Sequence, residues 1–271
     1  MILSLITNCP IMAMYAQSAG IDRIMIDLEV KGKSSRQQGK GLFISNHTIN
    51  DILVIRKVCK KNAIFVRINP IDNDSKQEID TVIKMGADII MLPYFHTMNE
   101  VKTFLKLTNG SVRTSLLVET REAAELLPKI VDLIGVNEIH FGLNDLRISC
   151  GYKTIFEPVL NGTLEEYANI VNKKKIPWGF GGIGKLSDTN LPIDPKLILY
   201  EQIMLRTSIG WLGRSFRDAL DKENVELSLK RETLLLREFA RKYANVSRDF
   251  LNSKHVELLK QIRLMENRTK Q

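Results

Sequence analysis

The stretch Thr114-Ser-Leu-Leu-Val-Glu119, then Arg121-Glu-Ala-Ala-Glu-Leu-Leu-Pro-Lys-Ile-Val-Asp-Leu133, then Glu138-Ile-His-Phe-Gly142, decides the fold. Its two short apolar runs read as buried strands. The segment between them, with apolar residues three and four apart, reads as a helix packed on one face. Strand, helix and strand in that order call for parallel pairing, because the helix is the crossover that returns the chain to the start of the next strand.

Outward from this unit the same alternation repeats. Short apolar runs stand at Leu3 to Thr7, Arg23 to Leu28, Ala63 to Ile68, Asp88 to Leu92, Trp178 to Gly182 and Thr207 to Leu212. With the two runs above they make eight. Amphipathic segments separate them at Ile11 to Ala19, Ile49 to Lys61, Ser75 to Met85, Met98 to Leu107, Leu164 to Lys175 and Pro195 to Met204. Gly86 and Asn109-Gly110 stand where helices end and strands begin, as C-cap residues do. Eight such repeats predict an α/β chain closed into a (β/α)8 TIM barrel.

Beyond the eighth run only helical patterns follow, Val225 to Tyr243 and Ser247 to Met265. The expected organisation is a barrel over residues 1–215 and a C-terminal helical extension over residues 216–271. The extension carries Leu227, Leu229, Leu234, Leu235, Leu236 and Phe239, which are costly to leave in water. It is expected to pack on the barrel or on a neighbouring subunit, so a homo-oligomer is the expectation.

Composition narrows the class of partner. The chain has 271 residues, 44% of them hydrophobic, enough for one large core or two small ones. Its longest apolar runs fall far short of the roughly 20 residues that cross a bilayer, so no membrane span is expected. The apolar N-terminus lacks a basic region and reads as the first strand. Cys9, Cys59 and Cys150 are widely spaced and form no CxxC pair, which argues against a disulfide framework or a zinc site and for the cytoplasm. The net charge of +8 would suit a polyanion, but beyond Arg214 Lys and Arg interleave with Glu and Asp as on a solvated helix face. No basic motif interleaved with aromatics is present, so nucleic acid is not an expected partner.

A barrel of this kind carries its chemistry at the C-terminal ends of the strands. Those ends hold Asn8, Asp27 with Glu29, Arg67 with Asn69, Pro93, Glu119, Asn144 with Asp145, Gly181 with Gly182, and Arg214. Glu119 and Asp145, read as closing neighbouring strands, suit two oxygen ligands of one hard cation, Mg2+ or Mn2+, with positions left open for substrate. Helix capping is the plainer reading of Glu119 alone. Arg67 has the planar donors to grip a carboxylate or enolate oxygen, and its plainer reading is an ion pair with Asp27 or Glu29. Trp178-Gly-Phe-Gly-Gly-Ile-Gly184 offers either backbone N–H groups to an anion or a tight turn. Arg147, Lys185, Arg206 and Arg214 add positive field, Arg214 alone by a position at a strand end.

Five segments together resemble one family: Ile26-Asp-Leu-Glu29, Phe65-Val-Arg-Ile-Asn-Pro70, Gly86-Ala-Asp-Ile-Ile-Met-Leu-Pro93, Leu117-Val-Glu-Thr120 and Phe141-Gly-Leu-Asn-Asp-Leu146. In order and spacing the chain is similar to the HpcH/HpaI aldolase and citrate lyase family, from the second strand to about Gly182. The resemblance implies that Glu119 and Asp145 hold the divalent metal and that Arg67 contacts the substrate carboxylate and enolate. Pro93, Gly181 and Gly182 are the further expected substrate-binding positions.

The segment Met25 to Glu29 is more similar to the citrate lyase β-subunit branch, because Val30 stands where the aldolase branch has a histidine. The general base is then Asp27, Glu29, His47 or a bound water. His47 lies in the loop Asn46-His-Thr-Ile-Asn50 and either swings to the mouth or merely flanks a helix capped by Thr48 or Asn50. His96, His140 and His255 read as structural.

The expected function is that of a metal-dependent carbon–carbon lyase acting on a small 2-keto acid through a pyruvate-like enolate. One alternative is an acyl-CoA lyase or thioester hydrolase that binds a CoA ester. Another, of a different class, is a barrel without turnover that binds a metabolite or partner.

Overall fold

The computed structural model describes residues 1–33, 45–59, 63–218 and 220–268. The chain runs β1 (Ile2–Ile6), α1 (Pro10–Ser18), β2 (Arg23–Asp27), α2 (Asn50–Val58), β3 (Ile64–Arg67), α3 (Ser75–Lys84), β4 (Ile89–Leu92), α4 (Met98–Thr108), β5 (Arg113–Val118), α5 (Arg121–Ile130) and β6 (Glu138–Phe141). It continues through α6 (Leu143–Cys150), α7 (Glu157–Leu160), α8 (Thr163–Lys173), β7 (Trp178–Phe180), β8 (Gly182–Ile183), α9 (Pro195–Met204), β9 (Ile209–Leu212), α10 (Arg214–Asp218), α11 (Val225–Tyr243) and α12 (Arg248–Arg268).

All strand pairs are parallel, in the order β7-β6-β5-β4-β3-β2-β1-β9-β8. β7 and β8 are two pieces of one barrel strand, parted at Gly181, whose φ of +54° is a left-handed conformation that suits glycine. The first piece pairs with β6 and the second with β9. The Ser208 N–H donates to the Trp178 carbonyl at 2.9 Å, which ties the start of β9 to β7 and closes the ring. Counted this way the barrel has the eight strands expected.

Apolar packing falls into two shells. The larger lies between sheet and helices, where outward strand residues such as Ile24, Ile26, Val66 and Ile90 meet helix residues such as Ile52, Val82 and Leu127. The smaller fills the lumen with Met25, Phe65, Ile89, Met91 and Leu117. The alternation of side chains along each strand separates the two sets. At the N-terminal floor of the lumen Arg23 of β2 reaches Glu138 of β6 with two parallel bonds of 2.9 Å, both side chains buried.

Local chemistry sets the helix ends near the mouth. Thr97 and Glu100 form a capping box on α4, and α4 stops at Asn109 in a left-handed conformation. Thr120 caps α5 by accepting the Ala123 N–H, while its own hydroxyl donates to the Phe95 carbonyl at 2.7 Å. α2 begins at Asn50, and neither Thr48 nor Asn50 caps it with a side chain. Instead Asp51 reaches back to the Thr48 N–H at 2.6 Å.

After β9 the two long helices cover the outside of the barrel. α11 packs on α1 and α9, in the gap where a ring of eight helices needs its last member. α12 packs on α9. The Tyr243 and Phe250 rings stack at 5.8 Å across the α11–α12 turn, and Tyr200 of α9 meets both edge-on. Arg237 of α11 donates to the carbonyls of Met1 and Gly20 and pairs with Asp22, sewing the end of the chain to its beginning. No helix among the described residues is long and apolar enough to cross a membrane.

Candidate active site

The C-terminal ends of the strands surround a cavity of about 320 Å³. Asp27, Arg67, Glu119, Asp145, Gly181, Gly182 and Arg214 all line it, so seven positions that the sequence reading assigns to six strand ends meet at one place. Lys33, His140, Trp211 and Arg217 line it as well. Glu29, His47 and Pro93 are not among its lining residues, nor are Arg147, Lys185 and Arg206.

β2 and β3 place Asp27 opposite Arg67 in register. Arg67 grips Asp27 with two bonds, Nε to Oδ1 at 2.8 Å and Nη2 to Oδ2 at 2.7 Å, and its Nη1 lies 3.2 Å from Glu29. The ion pair weighed for Arg67 is therefore formed, while the guanidinium still faces the cavity. Burial alone would raise the Asp27 carboxyl, but the Arg67 charge and hydrogen bonds, with Lys33 behind them, hold it down at about 2. Burial works against the Arg67 charge, and Asp27 and Glu29 overcome it and push the guanidinium pKa up. Asn69 accepts the N–H groups of Val30 and Lys31 at 3.0 Å each, which fixes the turn after Glu29.

Glu119 follows β5 and is buried. Its Oε1 accepts the Tyr94 N–H at 3.1 Å, and Tyr94 holds an unusual left-handed φ of 46° while making that bond. Its Oε2 lies over Gly142, where an added Cβ would come within 2.6 Å. The glycine at the start of α6 is the space into which the carboxylate fits.

Asp145 is not at a strand end as its sequence position suggested. β6 stops at Phe141, and Asp145 sits in the first turn of α6, buried and turned to the same cavity. A carboxylate there is also favoured by the positive end of the helix. Glu119 and Asp145 thus offer oxygen donors from two successive βα units. Two carboxylates with room beside them are a donor set for magnesium or manganese, which keep water and substrate oxygens in the remaining positions. Among the described residues no group of three or more His, Cys, Asp or Glu side chains has an arrangement that could hold a metal ion.

The histidines behave differently from one another. His47 accepts the Asp27 N–H at Nδ1, 3.0 Å away, so its proton is on Nε2. Burial lowers its pKa, opposed by Asp27 and Asp51 and assisted by Arg217. His140 is fully inside, stacked on Trp211 at 4.0 Å and 7° between planes. Its Nε2 lies 3.1 Å from the Gly181 carbonyl, which only accepts, so Nε2 carries the proton. Burial pushes this imidazole down to about 3, aided by Arg67 and opposed by the Gly181 bond, so it forms a neutral, flat floor. His96 faces Glu122 at 3.2 Å and His255 faces Glu201 at 2.8 Å, both away from the cavity.

Four features of this site were not drawn from the sequence. Lys33 and the Tyr94 backbone carry no pattern of their own there, Gly142 stands in a quoted segment without a role, and the His140–Trp211 floor is visible only as two inward positions on separate strands. Apart from Asn144, the rest of the wall is apolar, with Leu143, Ile155, Phe156, Phe180 and Ile198.

A family model described as HpcH/HpaI aldolase/citrate lyase matches residues 1–160. A search of curated proteins finds no match to the sequence. Solved structures do match. An HpcH/HpaI aldolase from Desulfitobacterium hafniense DCB-2 is 14% identical, with 88% of this chain and 93% of that one covered and a TM-score of 0.59. An HpcH/HpaI aldolase/citrate lyase family protein from Burkholderia cenocepacia J2315 gives 14%, 88%, 93% and 0.58 in the same order. The protein CitE from Mycobacterium tuberculosis, solved in complex with magnesium and pyruvate, gives 14%, 95%, 96% and 0.58. At these identities the likeness shows a shared fold.

Proposed function

This chain belongs to the HpcH/HpaI aldolase/citrate lyase family, and from that premise we propose that it makes or breaks a carbon–carbon bond in a small 2-keto acid. The observation that carries the reading is the convergence of Glu119, Asp145 and Arg67 on one cavity whose other wall is apolar.

Glu119 and Asp145 hold a divalent cation in this reading, magnesium or manganese. The chemistry such a cation supplies is stabilisation of negative charge on a keto-acid oxygen. Tyr94 and Gly142 keep the Glu119 carboxylate in place for it.

Arg67 donates its remaining N–H groups to the substrate carboxylate and shares the charge of the enolate. Asp27 and Glu29 are positioning residues that act through Arg67. A carboxyl held near 2 is a weak base at neutral pH, so Asp27 serves orientation better than proton transfer. His47 fixes the end of β2 through the Asp27 N–H and holds its own proton at Nε2. Gly181 and Gly182 give the substrate room against the neutral His140–Trp211 floor. The apolar wall takes the second fragment and excludes water, with Arg214 at the rim for an acidic group. Cytoplasmic location and a homo-oligomeric state belong to the same proposal, as does the absence of a nucleic-acid partner.

The test is calorimetric titration of metal-stripped protein with magnesium and then pyruvate or oxaloacetate, beside a folded Glu119→Ala/Asp145→Ala variant. Keto-acid binding that needs the metal, and that the variant lacks, is the expected result. Wild-type protein that binds neither metal nor keto acid would move the chain to a barrel without turnover.

A further inference from the structure

Lys33, six residues after the end of β2, is a lysine with almost no surface, 4% exposed. Its Nζ stands 3.2 Å from Glu29 Oε2 and 3.5 Å from Asp27 Oδ2. Arg67 touches the same two oxygens, at 3.2 and 2.7 Å. Each carboxylate oxygen therefore sits between two cations, and the two cations stand side by side in one wall of the cavity.

A structural ion pair does not need this arrangement. Asp27 alone already neutralises the Arg67 charge, with two short bonds. Adding Lys33 and Glu29 buries two more charges, and a buried pair of this kind is commonly no more stabilising than an apolar pair of equal volume. The additional pair does change what the cavity presents. Glu29 is fully buried behind the wall, whereas Lys33 lines it. An ammonium has three donors, and among the described residues one of them is hydrogen-bonded, to Asp27 Oδ2 at 3.5 Å, while Glu29 Oε2 at 3.2 Å is an ion-pair contact without hydrogen-bond geometry. Donor capacity therefore remains on a side chain that lines the cavity.

We propose that Lys33 is the second cation of the substrate-binding wall, gripping with Arg67 the carboxylate of an anionic 2-keto acid. The inference rests on the keto-acid reading of the site and adds the residue that fixes the charge of the ligand. Arg67 supplies a planar fork, and Lys33 a point charge beside it, so a dianionic planar ligand such as oxalate is favoured over a monoanion.

The experiment is titration of the full chain with magnesium alone and then with oxalate in the presence of magnesium. It compares wild type, Lys33→Met, Lys33→Arg and the charge-balanced double variant Lys33→Met/Glu29→Gln. The expected result is an unchanged response to magnesium alone, since Glu119 and Asp145 are untouched. Oxalate affinity should fall roughly tenfold or more in both Met variants and recover in Lys33→Arg. The double variant leaves no net buried charge and guards against misfolding of the single one. Wild-type affinity for oxalate in the folded double variant would overturn the role of Lys33 and leave the lyase reading standing. No oxalate binding by the wild type would overturn both.

Discussion

A side chain at position 142 and the Glu119 carboxylate exclude each other: a Cβ on Gly142 stands 2.6 Å from Glu119 Oε2 and 2.9 Å from Glu119 Cβ. The Gly142 backbone has φ of −84°, which alanine adopts readily, so the conflict is with Glu119 and not with backbone strain. Gly142→Ala is expected to weaken metal-supported keto-acid binding by roughly 10- to 100-fold, as displacement of a supporting contact does. Calorimetry checks the affinity and circular dichroism the fold. Unaltered affinity would show that the Glu119 carboxylate is not held where the ligand needs it.

Asp27 gives a dependence of stability on acid. Its carboxyl is lowered from 3.8 to about 2 in the fold. A depressed carboxyl stabilises the fold above its unfolded value and loses that contribution as pH falls through the folded value. The window is thus from about 4 down to about 2, and the amount is on the order of 2 kcal/mol. Urea unfolding of wild type and Asp27→Asn should show a stability gap at pH 5 that closes towards pH 2. A gap independent of pH across that window would contradict the pairing with Arg67.

The contact of α12 with α9 responds in the opposite direction. The His255 imidazole is raised above the ordinary 6.5 by its hydrogen bond to Glu201, against a lowering by burial. A raised histidine stabilises fully below 6.5 and ceases to do so as pH climbs through its folded value. Limited proteolysis of α12 should therefore be slower at pH 6 than at pH 9 by a larger factor in wild type than in Glu201→Gln. Equal factors in the two proteins would remove His255 from the account.

The floor of the lumen offers a double-mutant cycle. Arg23→Met leaves Glu138 buried, with Arg113 at 3.8 Å as its remaining cation, and should cost about 3–5 kcal/mol. Arg23→Met/Glu138→Met removes both charges and should recover most of that loss. Chemical denaturation measures both. A double variant no better than the single one would mean that the pair contributes packing that methionines cannot replace.

The barrel was legible because each strand is a short apolar run of its own and each helix has a 3.6-residue period. Runs such as Ile89–Leu92 and segments such as Ser75–Lys84 carry their periods locally. Charged strand ends are legible for the same reason, and Asp27, Arg67 and Glu119, read from them, line one cavity. Asp145, read from the sequence as closing a strand, lies in the first turn of α6, since nothing in Leu143-Asn-Asp-Leu146 marks the end of β6. The break at Gly181 was readable only as a glycine-rich segment open to two meanings. Lys33 had no local signal at all. A lone lysine between Gly32 and Ser34 looks like solvated loop, and its burial is set by Asp27, Glu29 and Arg67, the last far along the chain. The left-handed Tyr94 and the fit of Glu119 over Gly142 are likewise properties of three dimensions.

Arg237 holds the Met1 and Gly20 carbonyls, and β1 pairs on one side with β9. During synthesis the first strand emerges some two hundred residues before the groups that fasten it. Until α11 has left the ribosome, one edge of the nascent half-barrel lies open, and parallel pairing over such separations is slow. Closure is then a late event that waits for β9 and α11. A ribosome-stalled chain ending before residue 225 should hold β1 loosely however well its central strands have formed.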